Sequence, residues 1–407
     1  MKISILTHGF ANWGGGVDFI RFISSSIACA APNDQIHKNL IIPKNDYKLK
    51  IRHSIYPFKL ALKQIANGEL PDWKTKPRLS EAYYQNMFSD LSTEFEILQS
   101  GSAYTDQLNT AMRLDSDIVF PCLVPPNKNF SLPWIGYLPD FQHRHFPQFF
   151  SKQEIKDRNR NFKYMLDNAD HLIVNARAVQ QDIECFYADH KANIHVLPFS
   201  PHPQLNWLAS DLDYREKYQI NKPYFMISNQ FWKHKDHVTA FKAFAQYLQH
   251  GGDAILVCTG ETNDYRFPNY FRELQDLIKL LEIEQYVRIL GHIPKIEQIS
   301  LLKQSLAIVQ PTLFEGGPGG GACYDAIALG IPVIVSNIPV NLEIDCGEVC
   351  FFEAGNYISL AQALHQRGDK ELLRPSVQHL MQVGHDRQRR CGEFILNVIE
   401  QACVKEY

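Results

Sequence analysis

Leu313-Phe314-Glu315-Gly316-Gly317-Pro318-Gly319-Gly320-Gly321-Ala322-Cys323-Tyr324-Asp325-Ala326-Ile327-Ala328-Leu329-Gly330 leads into the apolar run Ile331-Pro332-Val333-Ile334-Val335. Five of the six positions from 316 to 321 are glycine, and they stand at the mouth of a helical pattern. Without Cβ atoms such a turn lets backbone N–H groups approach a ligand, and the helix start behind it favours negative charge. Glu315 precedes the turn and Asp325 lies inside the helix, so phosphate and hydroxyl groups can be held side by side.

The same alternation of helical pattern and short apolar run continues in both directions, which predicts α/β architecture with parallel sheets. Towards the N-terminus of the second half the strands are Tyr224–Ser228, Ala254–Cys258, Val287–Leu290 and Ala307–Gln310; Val333–Val335 and Val349–Phe352 follow the glycine turn. Helices fit between them at Val238–Gln249, Tyr270–Leu281 and Ile296–Gln304, and Val383–Cys403 reads as a final helix. The first half offers strands at Ile3–Leu6, Asn39–Ile42, Ile118–Pro121, Trp134–Leu138, His171–Val174 and Ile194–Leu197. Three prolines in Leu197-Pro198-Phe199-Ser200-Pro201-His202-Pro203 break the pattern. We therefore expect a first Rossmann-like domain over 1–200, a linker over 201–222, a second Rossmann-like domain over 223–382, and a helix over 383–407 that packs back on the first domain. Two such domains face a central cleft with the carboxyl ends of their strands.

With 407 residues, the chain is long enough for two cores. Hydrophobic content of 45%, charged content of 21% and a net charge of −3 describe an ordinary soluble protein and give no reason to expect nucleic-acid binding. The nine cysteines are scattered, odd in number and without a C-x-x-C, so neither a disulfide framework nor a zinc site is expected. No run is long and apolar enough to span a membrane, and Met1-Lys2-Ile3-Ser4-Ile5-Leu6-Thr7-His8 turns polar too soon for a secretory leader. A cytoplasmic location is expected.

Two further loops carry chemistry. Gly9-Phe10-Ala11-Asn12-Trp13-Gly14-Gly15-Gly16-Val17 follows the first strand, where Gly15 and Gly16 can lie against a diphosphate or simply make a tight connection. Position 19 is Phe, not the third glycine of a dinucleotide fingerprint, and no acid ends the second strand at Ile41-Ile42-Pro43, which disfavours a nicotinamide dehydrogenase. In the second half, Asn229-Gln230-Phe231-Trp232-Lys233-His234-Lys235-Asp236-His237 follows a strand and opens a helix, placing Lys235 to neutralise phosphate oxygens. The plain alternative there is a solvated basic turn.

Together these three loops resemble the retaining nucleotide-sugar glycosyltransferases of family four, which have the GT-B fold. That resemblance spans most of the chain. It implies a nucleotide diphosphate sugar as donor, with no resident cofactor or metal, and a glycan or lipid-linked oligosaccharide of surface polysaccharide synthesis as acceptor. Glu315 matches the first acid of the family's E-x7-E motif, and Asp325, five residues before Gly330, matches the second, so the spacing here is E-x9-D. The implied roles are sugar hydroxyls for Glu315, ribose hydroxyls for Asp325, and diphosphate and sugar for the N–H groups of Gly317, Gly319, Gly320 and Gly321. Lys235 matches the family's lysine on the leaving diphosphate, whereas Gln230 stands where the family carries an arginine.

In Leu138-Pro139-Asp140-Phe141-Gln142-His143-Arg144-His145, Asp140 matches the aspartate of the family's His-Asp pair at the reaction centre, and Pro139 replaces the histidine. His143 or His145 is expected to take over that role and to touch the acceptor. The loop also reads as a structural lid. Competing readings of the whole chain are a sugar-nucleotide epimerase or phosphorylase on the same fold, a non-catalytic sugar-nucleotide-binding subunit, and a polymer-binding module.

Three stretches carry weaker signals. Asp115-Ser116-Asp117 is formally a D-x-D, but it precedes a strand and reads as a solvated turn. His8 ends the first strand beside the first glycine loop. Residues 52–66 align Ile55, Phe58, Leu62 and Ile65 on one helical face, with Lys59 and Lys63 nearby, which suits either a packed surface helix or peripheral contact with a membrane.

Overall fold

The computed structural model describes residues 1–10, 15–31, 36–44, 81–209, 212–368, 370 and 373–404. The amphipathic stretch 52–66 and residues 11–14 of the first glycine loop lie outside them. The strands of the first half are β1 (Lys2–Leu6), β2 (His37–Pro43), β3 (Glu96–Ser100), β4 (Ile118–Cys122), β5 (Trp134–Tyr137), β6 (His171–Val174) and β7 (Asn193–Val196). Those of the second half are β8 (Tyr224–Ser228), β9 (Ile255–Thr259), β10 (Val287–Gly291), β11 (Ala307–Gln310), β12 (Val333–Ser336) and β13 (Val349–Phe352).

All pairings are parallel, in the orders β3-β2-β1-β4-β5-β6-β7 and β10-β9-β8-β11-β12-β13. In each sheet the order reverses beside the first strand, between β1 and β4 and between β8 and β11. The crevice outside the strands' carboxyl ends opens at those reversals. Every strand expected from the sequence is present, within two residues at each end. β3 is the addition: its sequence, EILQS, offers only two apolar residues at the sheet edge and no sustained pattern.

Helices cover both sheets because their apolar residues recur every three to four positions. In His237–Gln249 this buries Ala240, Phe241, Ala243 and Phe244, and the Asp236 side chain accepts the Thr239 N–H at 3.3 Å to cap the helix. The connection between the domains is not free. Trp207, Tyr214, Tyr218 and Ile220 pack into the core of the second sheet.

The last helix, Val377–Cys403, begins six residues before the expected Val383 because Ser376 caps it, accepting the His379 N–H at 3.2 Å. It returns to the first domain, where Cys391, Ile395, Val398 and Ile399 join the core under β1 and β4. All nine cysteines are free thiols. Among the described residues no helix is long and apolar enough to cross a membrane.

Candidate active site

The second domain contributes the loops after β8, β9 and β11. Gln310, the last residue of β11, ties the two ends of the glycine turn together: its Nε2 donates to Glu315 Oε1 at 3.1 Å and to the Gly319 carbonyl at 2.8 Å. Asn229, just past β8, donates in turn to Gln310 Oε1. Lys235 Nζ donates to Glu315 Oε1 at 2.5 Å, with only 10% and 11% of the two side chains exposed. The expected cation and the expected first acid therefore form one ion pair.

Gly319 and Gly320 both have φ of +66°, where an L side chain is strained. A Cβ on Gly319 would also stand 2.3 Å from the Cβ of Cys323. The Gly319 N–H donates to Asn341 Oδ1 at 2.8 Å, and Asn341 is held by Ser336. Gly320 opens the helix Gly320–Ala328. Nothing lies within 4 Å of a Cβ placed on Gly321, so at that position the turn is open.

The turn faces the first domain. A Cβ on Gly316 would meet the Pro139 carbonyl and the Asp140 side chain, and one on Gly317 would meet Asn175. Asp140 accepts the Gln142 N–H at 2.9 Å and lies 3.8 Å from Arg158. His145 is exposed, 2.8 Å from Asp182, with its ring 5.5 Å from that of Phe314, the neighbour of Glu315. Gly15 is exposed at the cap of the helix Gly16–Ala30, and Gly16 is buried. Gln230 is half-buried beside Gly260, whose φ of +137° lets it lie against the Asn229 carbonyl.

Residues 211–374 match the family of glycosyl transferases group 1.

That span contains the whole second sheet and the Lys235–Glu315 pair. No curated protein matches the sequence. Among solved structures, Anabaena HepE in complex with UDP-glucose is similar over 99% of this chain and 98% of its own, with 13% identity and a TM-score of 0.57. WaaG, a glycosyltransferase involved in lipopolysaccharide biosynthesis, is similar over 98% of both chains, with 13% identity and a TM-score of 0.52. The lipopolysaccharide outer core galactosyltransferase WaaB in its apo form covers 98% and 99%, with 15% identity and a TM-score of 0.53. The fold is GT-B: two Rossmann-like domains facing a central cleft, with a C-terminal helix.

One expected residue is displaced from this cleft. His143 is fully buried among Phe141, Phe150 and Phe162, and its Nε2 sits 3.0 Å from Asn159 Oδ1. Burial lowers its pKa. It packs within the first domain's loop, and its Nδ1 has no hydrogen-bond partner among the described residues. The D-x-D stretch is likewise structural: Asp117 accepts the Lys2 N–H at 2.7 Å and Ser116 pairs with Ser4 at the end of the sheet away from the cleft. His8 lies beside Ser102 and Tyr104.

Three residues escaped the sequence reading. Arg266, after β9, donates across the cleft to Gln142 at 3.4 Å and lies over the Trp232 ring at 4.9 Å. It is also 3.4 Å from His234 Nδ1, and burial, then Lys235 and Arg266, push that histidine down to about 2. Glu343 accepts the N–H groups of Arg177 and Ala178, both at 2.7 Å, so a second-domain carboxylate caps a first-domain helix. Lys295 opens the helix Lys295–Gln304 and donates to Asp325 Oδ2. Only Pro294 before Lys295 signals that helix start, and nothing local points to the cleft.

Proposed function

We propose that the chain is a retaining glycosyltransferase that moves a hexose from a nucleoside diphosphate sugar to a hydroxyl of a glycan or lipid-linked oligosaccharide. The observation that carries the reading is the buried Lys235–Glu315 pair beside the open glycine turn, in a cleft walled by Pro139, Asp140 and Asn175. A diphosphate matches the ammonium of Lys235 and the N–H groups from Gly317 to Gly321. The carboxylates of Glu315 and Asp325 match sugar and ribose hydroxyls. HepE, on the same fold, is seen with UDP and UDP-glucose, which favours this class of ligand.

In the reaction the bond between the sugar C1 and the donor phosphate oxygen breaks, and the nucleoside diphosphate leaves. Lys235 and the glycine turn stabilise the charge growing on that oxygen, more in the transition state than in the ground state. The acceptor oxygen bonds C1 on the same face, and its proton passes to the departing phosphate. Asp140 and His145, on the first-domain side, orient the acceptor. Contact of Gly316 with Pro139 excludes water and limits donor hydrolysis. The names of WaaG and WaaB support a lipopolysaccharide-type acceptor.

The test is thermal stabilisation by a panel of nucleoside diphosphates and their sugars. Transfer follows with the stabilising donor, and the product's anomeric configuration is read by NMR. A ligand at 100 times its Kd adds about 2.7 kcal/mol. Stabilisation by one nucleotide and a product that retains configuration support the proposal. No shift with any nucleotide at millimolar concentration overturns it, and formation of an epimeric nucleotide sugar without acceptor makes the protein an epimerase instead.

A further inference from the structure

Asp325 is buried and shares its position with a second charge that the sequence does not flag. Lys295 Nζ donates to Asp325 Oδ2. The same ammonium lies 5.4 Å from the centre of the Trp207 ring, which comes from the connection between the domains. From the first domain Asp18, on the helix behind the first glycine loop, is the next carboxylate that acts on it. The Asp325 carboxylate and the Trp207 face thus hold one ammonium, while 44% of the Lys295 side chain is exposed. A lysine serving only to neutralise a core carboxylate has no need of an open side.

We propose that Lys295 is the positioning residue of a ribose subsite, orienting the Asp325 carboxylate so that it accepts from the ribose hydroxyls of the donor. This rests on the reading of the cleft as a nucleoside diphosphate site. An aspartate at the end of E-x9-D is one methylene shorter than glutamate, and its oxygens are set by what it bonds. With Oδ2 held by the ammonium, Oδ1 and the remaining lone pair of Oδ2 are left as acceptors, the complement of a cis-diol. Burial alone raises the Asp325 pKa, and Lys295 opposes that rise. Asp325 and Asp18 in turn outweigh the burial of Lys295 and hold its ammonium above the usual value. An ionised carboxylate accepts only, so it selects hydroxyl donors over a sugar that lacks them.

Calorimetric titration with UDP, GDP, CDP and ADP, each against its 2′-deoxy form, tests the proposal. Loss of one hydrogen bond to a charged acceptor corresponds to roughly 10- to 100-fold in Kd, so the wild type should prefer the ribonucleotide by at least about 10-fold. Lys295→Met should bring that preference below about 3-fold, and Lys295→Arg should keep most of it. Asp325→Asn should lose it as well, and Lys295→Met/Asp325→Asn should be no worse than either single change, since both act through one pair. The double variant leaves no unpaired charge beside the buried position of Asp325, so it remains foldable if one single variant is not. A Lys295→Met protein that loses affinity equally for both sugar forms, or keeps the ribose preference, overturns the proposal. A wild type that binds a nucleoside diphosphate without ribose preference overturns the subsite and leaves the diphosphate reading intact. A wild type that binds none of them overturns that reading itself.

Discussion

Gly316 and Pro139 meet across the cleft so closely that a Cβ on the glycine would stand 2.5 Å from the proline carbonyl oxygen and 3.0 Å from the Asp140 Cβ. Gly316 has no positive φ that would demand glycine, so the requirement comes from the opposite domain alone. An added methyl group is accommodated by parting the domains, not by unfolding either. Gly316→Ala should therefore shift Tm by less than about 2 °C. Transfer should fall about 100-fold, the scale of a 1 Å misplacement of reacting groups. Equal loss of Tm and activity would show that the glycine serves folding.

The Lys235–Glu315 pair makes a different prediction, because both side chains are nearly buried. Removing one partner leaves an uncompensated charge, so Lys235→Met and Glu315→Gln should each destabilise by about 3 kcal/mol. The double variant should recover most of that. Donor affinity should not recover: loss of a charge-assisted bond to the diphosphate corresponds to about 1.5–3 kcal/mol, or roughly 10- to 100-fold in Kd. Chemical unfolding together with nucleotide titration separates the two effects. A double variant that binds the donor like wild type would falsify the assignment of Lys235.

The parts of this site legible in the sequence are those whose signal is local. Glycines 316 to 321, Glu315 and Lys235 announce themselves because a turn without Cβ atoms and a charge at a strand end are written in consecutive residues. The strands were legible for the same reason, since buried parallel strands are continuous apolar runs. Edge strand β3 was not, as EILQS has no face that must be apolar. Lys295, Arg266 and Glu343 were invisible for another reason: each acts on a residue far away in the chain. Arg266 reaches Gln142, Glu343 reaches Arg177, and nothing near them in sequence encodes the partner. His143 misled in the opposite sense, because a histidine three residues after Asp140 looks like a substitute for the one that Pro139 replaces until three aromatic rings are seen around it.

Two buried histidines predict how stability depends on pH. His234 and His237 fall from the ordinary 6.5 to about 2 and about 3, chiefly because burial disfavours the charged ring. Below pH 6.5 the unfolded chain takes up protons that the folded one refuses. Their contribution is complete above that pH and lost as pH falls towards 3, at about 1.4 kcal/mol per ring per pH unit. Burial raises the Asp236 and Asp325 carboxyls, which act oppositely at acid pH, so the clean quantity is a difference between two proteins. His237 stacks on Phe231 at 4.2 Å and 13°, and neither ring nitrogen has a hydrogen-bond partner among the described residues. The advantage of His237→Phe over wild type should be about 2 kcal/mol larger at pH 5 than at pH 7.5. Parallel urea-unfolding curves at both pH values would sink this account.

The final helix makes the first domain depend on residues that follow the second. A Cβ on Gly392 would stand 1.9 Å from the Ser26 carbonyl oxygen and 2.7 Å from the Ala30 Cβ, so the helices Gly16–Ala30 and Val377–Cys403 touch backbone to backbone. Neither atom is the end of a flexible side chain, and the strain of Gly392→Ala must be taken up by parting the helices. That would uncover Cys391, Ile395, Val398 and Ile399, each at most 1% exposed. Gly392→Ala should cost about 3 kcal/mol or more, in the range of overpacked cores. It should do so in the first domain, leaving nucleotide binding by the second. Residues 1–200 alone lack that helix and should not fold cooperatively, whereas addition of a peptide spanning 376–404 should restore a transition. A cooperative unfolding curve for 1–200 without the peptide would place the helix outside the folding unit, as an accessory to it.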